Sequence, residues 1–168
     1  MPSYTNPPKV ADERTMLDAW LDRHRETLLW KCEGLSDDQL RERAAPPSSL
    51  SLLGLVRHMS EVERGWFAAF AGADVSTIYY TDDEPDADFD GVRDADVKAD
   101  FATFRAEVDS ARRLVRDRSL DDTEVIHGGT EFSLRWIMVH LIEEYARHNG
   151  HADLLRERID GVTGVFPG

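Results

Sequence analysis

Apolar side chains recur every three or four residues over four long stretches, the period of helices that bury one face. The spacing predicts a first helix over residues 12–32, with Leu17, Trp20, Leu21, Leu28 and Cys32 on its stripe. A second, over residues 50–71, carries Leu55, Met59, Val62, Trp66 and Ala69, with Arg57, Glu61 and Arg64 outside that face. A third, over residues 94–116, has a stripe of Val97, Phe101, Phe104, Val108, Ala111 and Val115 that no polar residue interrupts. The fourth, over residues 133–157, collects Trp136, Ile137, Leu141, Ala152, Leu154 and Leu155, with Ile159 just beyond. Ser133 is its expected N-cap and Asp160-Gly161 its stop.

The connections are polar and rich in helix breakers. Gly34 closes the first helix, and Ser36 caps a short turn that ends at Leu40. Residues 45–49 form a proline-containing loop ending at a capping serine. Residues 72–93 hold Gly72, Pro85, Gly91 and the acidic run 82–88, and read as a long solvated connection. Residues 121–132 contain Gly128-Gly129 and a short β-like run at 123–126. Four long amphipathic helices without a strong strand pattern predict an all-α four-helix bundle with long inter-helix loops. Residues 1–10 are expected to be a tail and residues 11–168 a single domain.

Composition narrows the partners. At 168 residues with 41% hydrophobic content, the chain is large enough for a real core. A net charge of −13 and a pI near 4.8 speak against nucleic acid and anionic membranes, which demand clustered Lys and Arg. No apolar run is long enough to span a bilayer, and residues 1–8 lack the apolar region of a signal peptide, so a cytoplasmic location is expected. Cys32 is the single cysteine, which excludes an internal disulfide and a C-x-x-C pair. Its place on an apolar stripe predicts an inert core thiol.

The candidate chemistry lies where polar residues interrupt these stripes. At roughly 100° per residue, His140, Glu144, His148 and His151 fall within about 80° of one another, in the apolar sector of the fourth helix. A carboxylate and imidazoles turned toward a core are costly unless something satisfies them. Glu144 and His148 have the i, i+4 spacing that lets two ligands reach one ion. His24 lies in the stripe of the first helix, and His58 at the edge of that of the second. From the pattern alone, a metal site and a set of hydrogen-bonded core histidines stand as alternatives. Gly150, beside His148, is expected to let a neighbouring helix or a ligand approach. His127 is expected in an exposed loop, and Glu63 and Arg64 in structural ion pairs with Arg147 or Asp153. Asp153 to Arg156 reads as helix-surface charge plus core.

Two segments resemble a known superfamily. They are Val56-Arg57-His58-Met59 with Glu63-Arg64, and Glu144-Tyr145-Ala146-Arg147-His148-Asn149-Gly150-His151-Ala152-Asp153. Together with Glu33 to Leu40 they are similar to the DinB-like superfamily, in its branch related to mycothiol-dependent S-transferases and maleylpyruvate isomerases. The resemblance runs from about residue 15 over nearly all the rest of the chain. It implies a DinB-like bundle with one divalent metal, held by His58, Glu144 and His148 with open positions left over. Many members have His where this chain has Glu144; the isomerase-like branch has Glu. Zinc is the default ion, and Ni, Mn or Fe would suit the same ligands. His151 is expected to support a ligand, His24 to line the pocket, and His140 to be structural, since it lies about 12 Å from His148 along the axis.

The resemblance further implies a mycothiol-type thiol as cosubstrate, attacking a small electrophile in a detoxifying thiol transfer by a homodimer. The chain is expected to lack the second domain of the larger isomerases, which favours transfer over isomerisation. Two other readings stay open: a metal-dependent hydrolase using bound water, and a non-enzymatic metal-binding stress or interaction protein.

Overall fold

In the computed structural model, residues 6–73 and 75–164 are described. Of the expected tail, residues 1–5 lie outside them, and residues 6–10 carry no helix or strand. The chain is mostly helical, with one small antiparallel sheet. Its residues group into two compact units, one of residues up to Leu52 together with those from Met138 on, the other Leu53–Ile137.

In the first unit, α1 (Glu13–Cys32) begins at the N-cap Asp12, whose carboxylate accepts from the Thr15 amide at 3.0 Å. α2 (Asp37–Arg41) is the expected short turn, closed by a reciprocal capping box between Ser36 and Gln39. The later part of α6 (Leu134–Asp160) belongs here. Leu21, Leu28, Leu40, Leu141, Tyr145 and Ala152 are buried. Cations enter this core as well. Lys31, only 2% exposed, reaches Asp153 Oδ1 at 2.6 Å and the Gly164 carbonyl at 2.6 Å. Arg156 donates to the carbonyls of Lys31 and Glu33, at 3.0 and 2.8 Å, and so satisfies acceptors that the end of α1 leaves open. Asp153 is exposed surface charge that pairs with α1, as expected, while Arg156 is buried and tied to the end of α1. Trp20 and Leu154, expected on the apolar stripes, are 44% and 61% exposed. A Cβ on Gly150 would meet open space, so no close approach requires that glycine.

In the second unit, α3 (Leu52–Glu63) starts two residues later than expected and runs into a π-helical segment, Arg64–Ala68. The wider turn brings Phe67 and Phe70 inside in place of Trp66 and Ala69. Arg57 and Glu61, expected outside the apolar face, are buried. Arg57 meets Asp100 at 3.3 Å and the carbonyls of Ala87 and Asp88 at 3.0 and 2.9 Å, and it lies over the Tyr79 ring. Asp100 is thus a buried polar insertion in α5 (Val97–Val115), whose stripe is otherwise apolar except that Phe101 is half-buried. Arg64 pairs with Glu107 at 2.5 Å.

The connection 72–93 is not wholly solvated. It contains the short α4 (Ala87–Asp90), and Asp88 within it is 4% exposed. Gly91 is required there: a Cβ would stand 2.7 Å from the Ala87 carbonyl oxygen and 3.1 Å from Arg57 Nη2. The β-like run becomes β1 (Thr123–Ile126), paired antiparallel with β2 (Thr130–Ser133) in the register Thr123↔Ser133. Between them His127, Gly128 and Gly129 all take positive φ, at 48°, 83° and 100°, which glycine tolerates and which closes the hairpin in three residues. The Ser133 hydroxyl accepts from the Trp136 amide, as expected of the cap of α6. The helical expectation holds in its coarse form, and this hairpin is an addition to it.

Candidate active site

On α6 the i, i+4 spacing does what helical geometry requires. Glu144 Oε2 lies 3.5 Å from His148 Nε2, with the His148 side chain 11% and the Glu144 side chain 24% exposed. Glu144 also lies 3.7 Å from His140 Nε2, and His140 Nδ1 lies 3.4 Å from Glu143. His140, Glu143 and Glu144 thus form a second set of ligand types on the same helix. The four polar residues expected to interrupt the stripe flank it: His148 is buried, while His140, Glu144 and His151 are half-buried. The His151 ring packs edge-on against His148, with centroids 5.4 Å apart, and its buried Nδ1 has no hydrogen-bond partner among the described residues. His24, on α1, is tied to Asn149, whose amide donates to the His24 carbonyl at 3.1 Å and approaches its Nδ1 at 3.3 Å. Burial, and then the charge of Arg23, hold the His24 imidazole below its ordinary value.

His58 is placed by α3 in the second unit. Its Nδ1 is 2.8 Å from Asp88 Oδ2, and its ring stacks on Phe89 with centroids 4.8 Å apart. Because a carboxylate only accepts, Nδ1 carries the proton and donates. Asp88 is itself held by the Phe89 amide on Oδ1 at 2.9 Å. Sequence reading missed Asp88, because it is one acid among several in an acidic run.

A cavity of about 410 Å³ opens beside His58 in the same unit. Trp66, Tyr80, Phe89 and His127 give it aromatic walls, and Glu61, Asp86 and Asp88 line it as well. Glu61 accepts from the amides of Ile78 and Tyr79 at 2.7 and 2.5 Å, which fastens that stretch of loop to α3. His127 is exposed, as expected, yet its ring meets Trp66 edge-on at 4.5 Å. Cys32 is not among the residues that line the cavity. It is buried, and burial pushes its thiol up to about 12.

The family model for mycothiol-S-transferase matches residues 16–161. The chain belongs to the mycothiol S-transferase family. The match takes in His24, His58, Glu144, His148 and His151, and it agrees with the DinB-like, mycothiol-related resemblance of the sequence. Membership ties the chain to mycothiol S-transfer at the level of the family. No curated protein sequence matches it. Among the described residues, no helix is long and apolar enough to cross a membrane.

The side chains present fit a divalent ion, the group that the superfamily implies. Imidazole and carboxylate are the donors a borderline ion takes. Glu144 and His148 already turn their ligand atoms to one place. His58 has the imidazole–carboxylate backing that fixes tautomer and ring orientation in metal-ligating histidines.

Proposed function

We propose that the protein is a divalent-metal-dependent S-transferase that joins a mycothiol-type thiol to a small electrophile. His58, Glu144 and His148 are the proposed ligands, with zinc the first choice of ion and Ni, Mn or Fe the others. The observation that carries this reading is the family match over residues 16–161. The Glu144–His148 pair and the Asp88–His58 hydrogen bond also support it. The ion would supply positive charge that favours the thiolate form of the incoming thiol.

The chain's own residues do the rest. Glu144 and His148 offer two ligand atoms without rearrangement of α6. Asp88 holds the proton of His58 on Nδ1, and Phe89 keeps the ring from turning. In the reaction, sulfur forms a bond to the electrophilic carbon, the leaving group departs with the bonding electron pair, and the thiol proton passes to solvent. The cysteine of the chain takes no part. The same reading makes residues 11–168 one DinB-like four-helix-bundle domain, cytoplasmic and homodimeric, with His151 supporting His148 and His24 at the pocket wall. Detoxification is the proposed role.

Metal analysis of purified protein, followed by turnover of electrophiles and esters with and without added mycothiol, tests the proposal. Stoichiometric metal and thiol-dependent loss of electrophile are expected. Equal ester cleavage without thiol would establish the hydrolase instead, and no turnover by metal-loaded protein would leave a binding role.

A further inference from the structure

Part of the wall of the cavity beside His58 is made by His127, a residue to which family membership assigns no role. It stands in the hairpin turn at a φ of 48°, in the left-handed region, followed by Gly128 and Gly129 at 83° and 100°. Glycine takes such a φ without strain, whereas a residue with a Cβ is held there at a cost. Strain of this kind persists at working sites, where the surroundings fix it. Here the ring is braced by Trp66, edge-on at 4.5 Å, and by Phe132 at 6.3 Å between centroids.

The chemistry of the side chain suits the place. Of the side-chain types that line the cavity, imidazole alone both takes and gives up a proton near neutral pH. The Tyr80 hydroxyl is pushed above its ordinary value, by burial first and then by the charges of Glu61, Asp88 and Asp82. His58 is committed to Asp88 at 2.8 Å and to the proposed ion. His127 is therefore the imidazole left to move a proton, and being exposed it meets water as well as the cavity. An ion held by His58 would oppose a second positive charge nearby. Glu61, Asp86 and Asp88 line the same cavity and offset it, and a thiolate at the ion cancels part of the ion's charge.

We infer that His127 is the proton-transfer residue of the site, the group through which the thiol proton leaves. The inference rests on the transferase reading for the identity of the thiol. An imidazole nitrogen takes the proton, and the sulfur keeps the electron pair with which it bonds to the electrophilic carbon. The leaving group departs with the pair of the broken bond, and the imidazolium then returns its proton to the leaving group or to water.

Proton counting separates this claim from turnover. Mycothiol is titrated into the zinc-loaded, full-length protein at pH 7, by calorimetry in two buffers of different ionisation enthalpy. The variants are His127→Gly and His127→Asn, since both residues accept a positive φ and keep the hairpin. Wild-type protein should release only a fraction of a proton to the buffer, because His127 retains the rest, and each variant should release about one. With 1-chloro-2,4-dinitrobenzene as electrophile, His127→Gly should lower kcat/KM about 100-fold, and free imidazole should restore part of the rate. A merely structural histidine would not be replaced by imidazole in solution. Equal proton release by wild type and both folded variants would overturn the inference even if thiol transfer is observed, and so would an undiminished rate in His127→Gly. A difference in proton release without turnover supports the role of His127, and then only the transferase reading falls. Failure of mycothiol to bind the zinc-loaded protein would sink both.

Discussion

Asp88 shows how one side chain can matter more than its surroundings in the sequence suggest. Residues 82–86 of the acidic run are exposed, as charge alone predicts, while Asp88 is 4% exposed and holds His58. No period in the sequence marks it, because what selects it is a single turn of helix folded back on α3. Asp88→Asn keeps the shape but lets the amide donate to Nδ1, which favours the wrong tautomer. Metal affinity should fall about 10–100-fold, read by chelator competition, with the helical circular dichroism unchanged. His148→Ala should abolish stoichiometric metal, while His140→Ala should keep it; the reverse result would move the site to His140, Glu143 and Glu144. The approach of Glu144 to His148 was legible from spacing alone, since i, i+4 geometry is local. Cys32 was legible too, as an apolar-stripe residue. Its thiol sits at about 12 when folded, against an ordinary value of 9.0. The thiol is neutral in both states below 9.0, and only the unfolded chain gains charge between 9.0 and about 12. Stability should therefore fall as pH rises across that window, and Cys32→Ala should flatten the slope measured by urea unfolding.

At the scale of elements, the sequence placed the long helices well and their faces less well. α1 and α5 begin at Asp12 and Asp96, acids whose side chains accept from Thr15 and Ala99 amides, and such caps are readable locally. The face of α3 was misread because Arg57 and Glu61 are polar yet buried, each satisfied by groups far along the chain. The π-helical segment then displaces the stripe, and no local pattern announces it. β2 was missed, although the Gly128-Gly129 turn after a β-branched run was its signal. Arg57 joins α3, α5 and the connection through Asp100 and two carbonyls, so it organises the cavity wall. Arg57→Ala should destabilise the protein by about 3–5 kcal/mol, because it strands Asp100 in a buried place. Arg57→Met with Asp100→Leu should recover most of that loss, measured by the same urea unfolding. Gly91→Ala should loosen the same region without removing any hydrogen-bonding group, since its Cβ must displace the Ala87 carbonyl. Faster amide exchange over residues 87–91 would register it.

For the molecule as a whole, the predominance of helix follows from four stripes of apolar residues, and none of them needs a metal to be buried. Leu21, Leu28 and Tyr145 in one unit, and Leu55, Met59 and Phe104 in the other, are at most 1% exposed. That is the opposite of a small zinc module, where the ion replaces a missing core and the apo chain unfolds. A bound ion here would add to a fold that already stands, through its preference for the folded state. With free metal at 100 times its Kd, the gain is about 2.7 kcal/mol. For a domain of this size that corresponds to a rise in Tm of roughly 5–11 °C. Removing metal with a chelator should lower Tm by that order while leaving the helical signal at 25 °C intact, and added zinc should restore it. His148→Ala should show the lower Tm from the outset and no response to zinc. Collapse of the helical signal on chelation would instead mean that the ion is part of the core, and that the apolar stripes do not suffice to fold the chain.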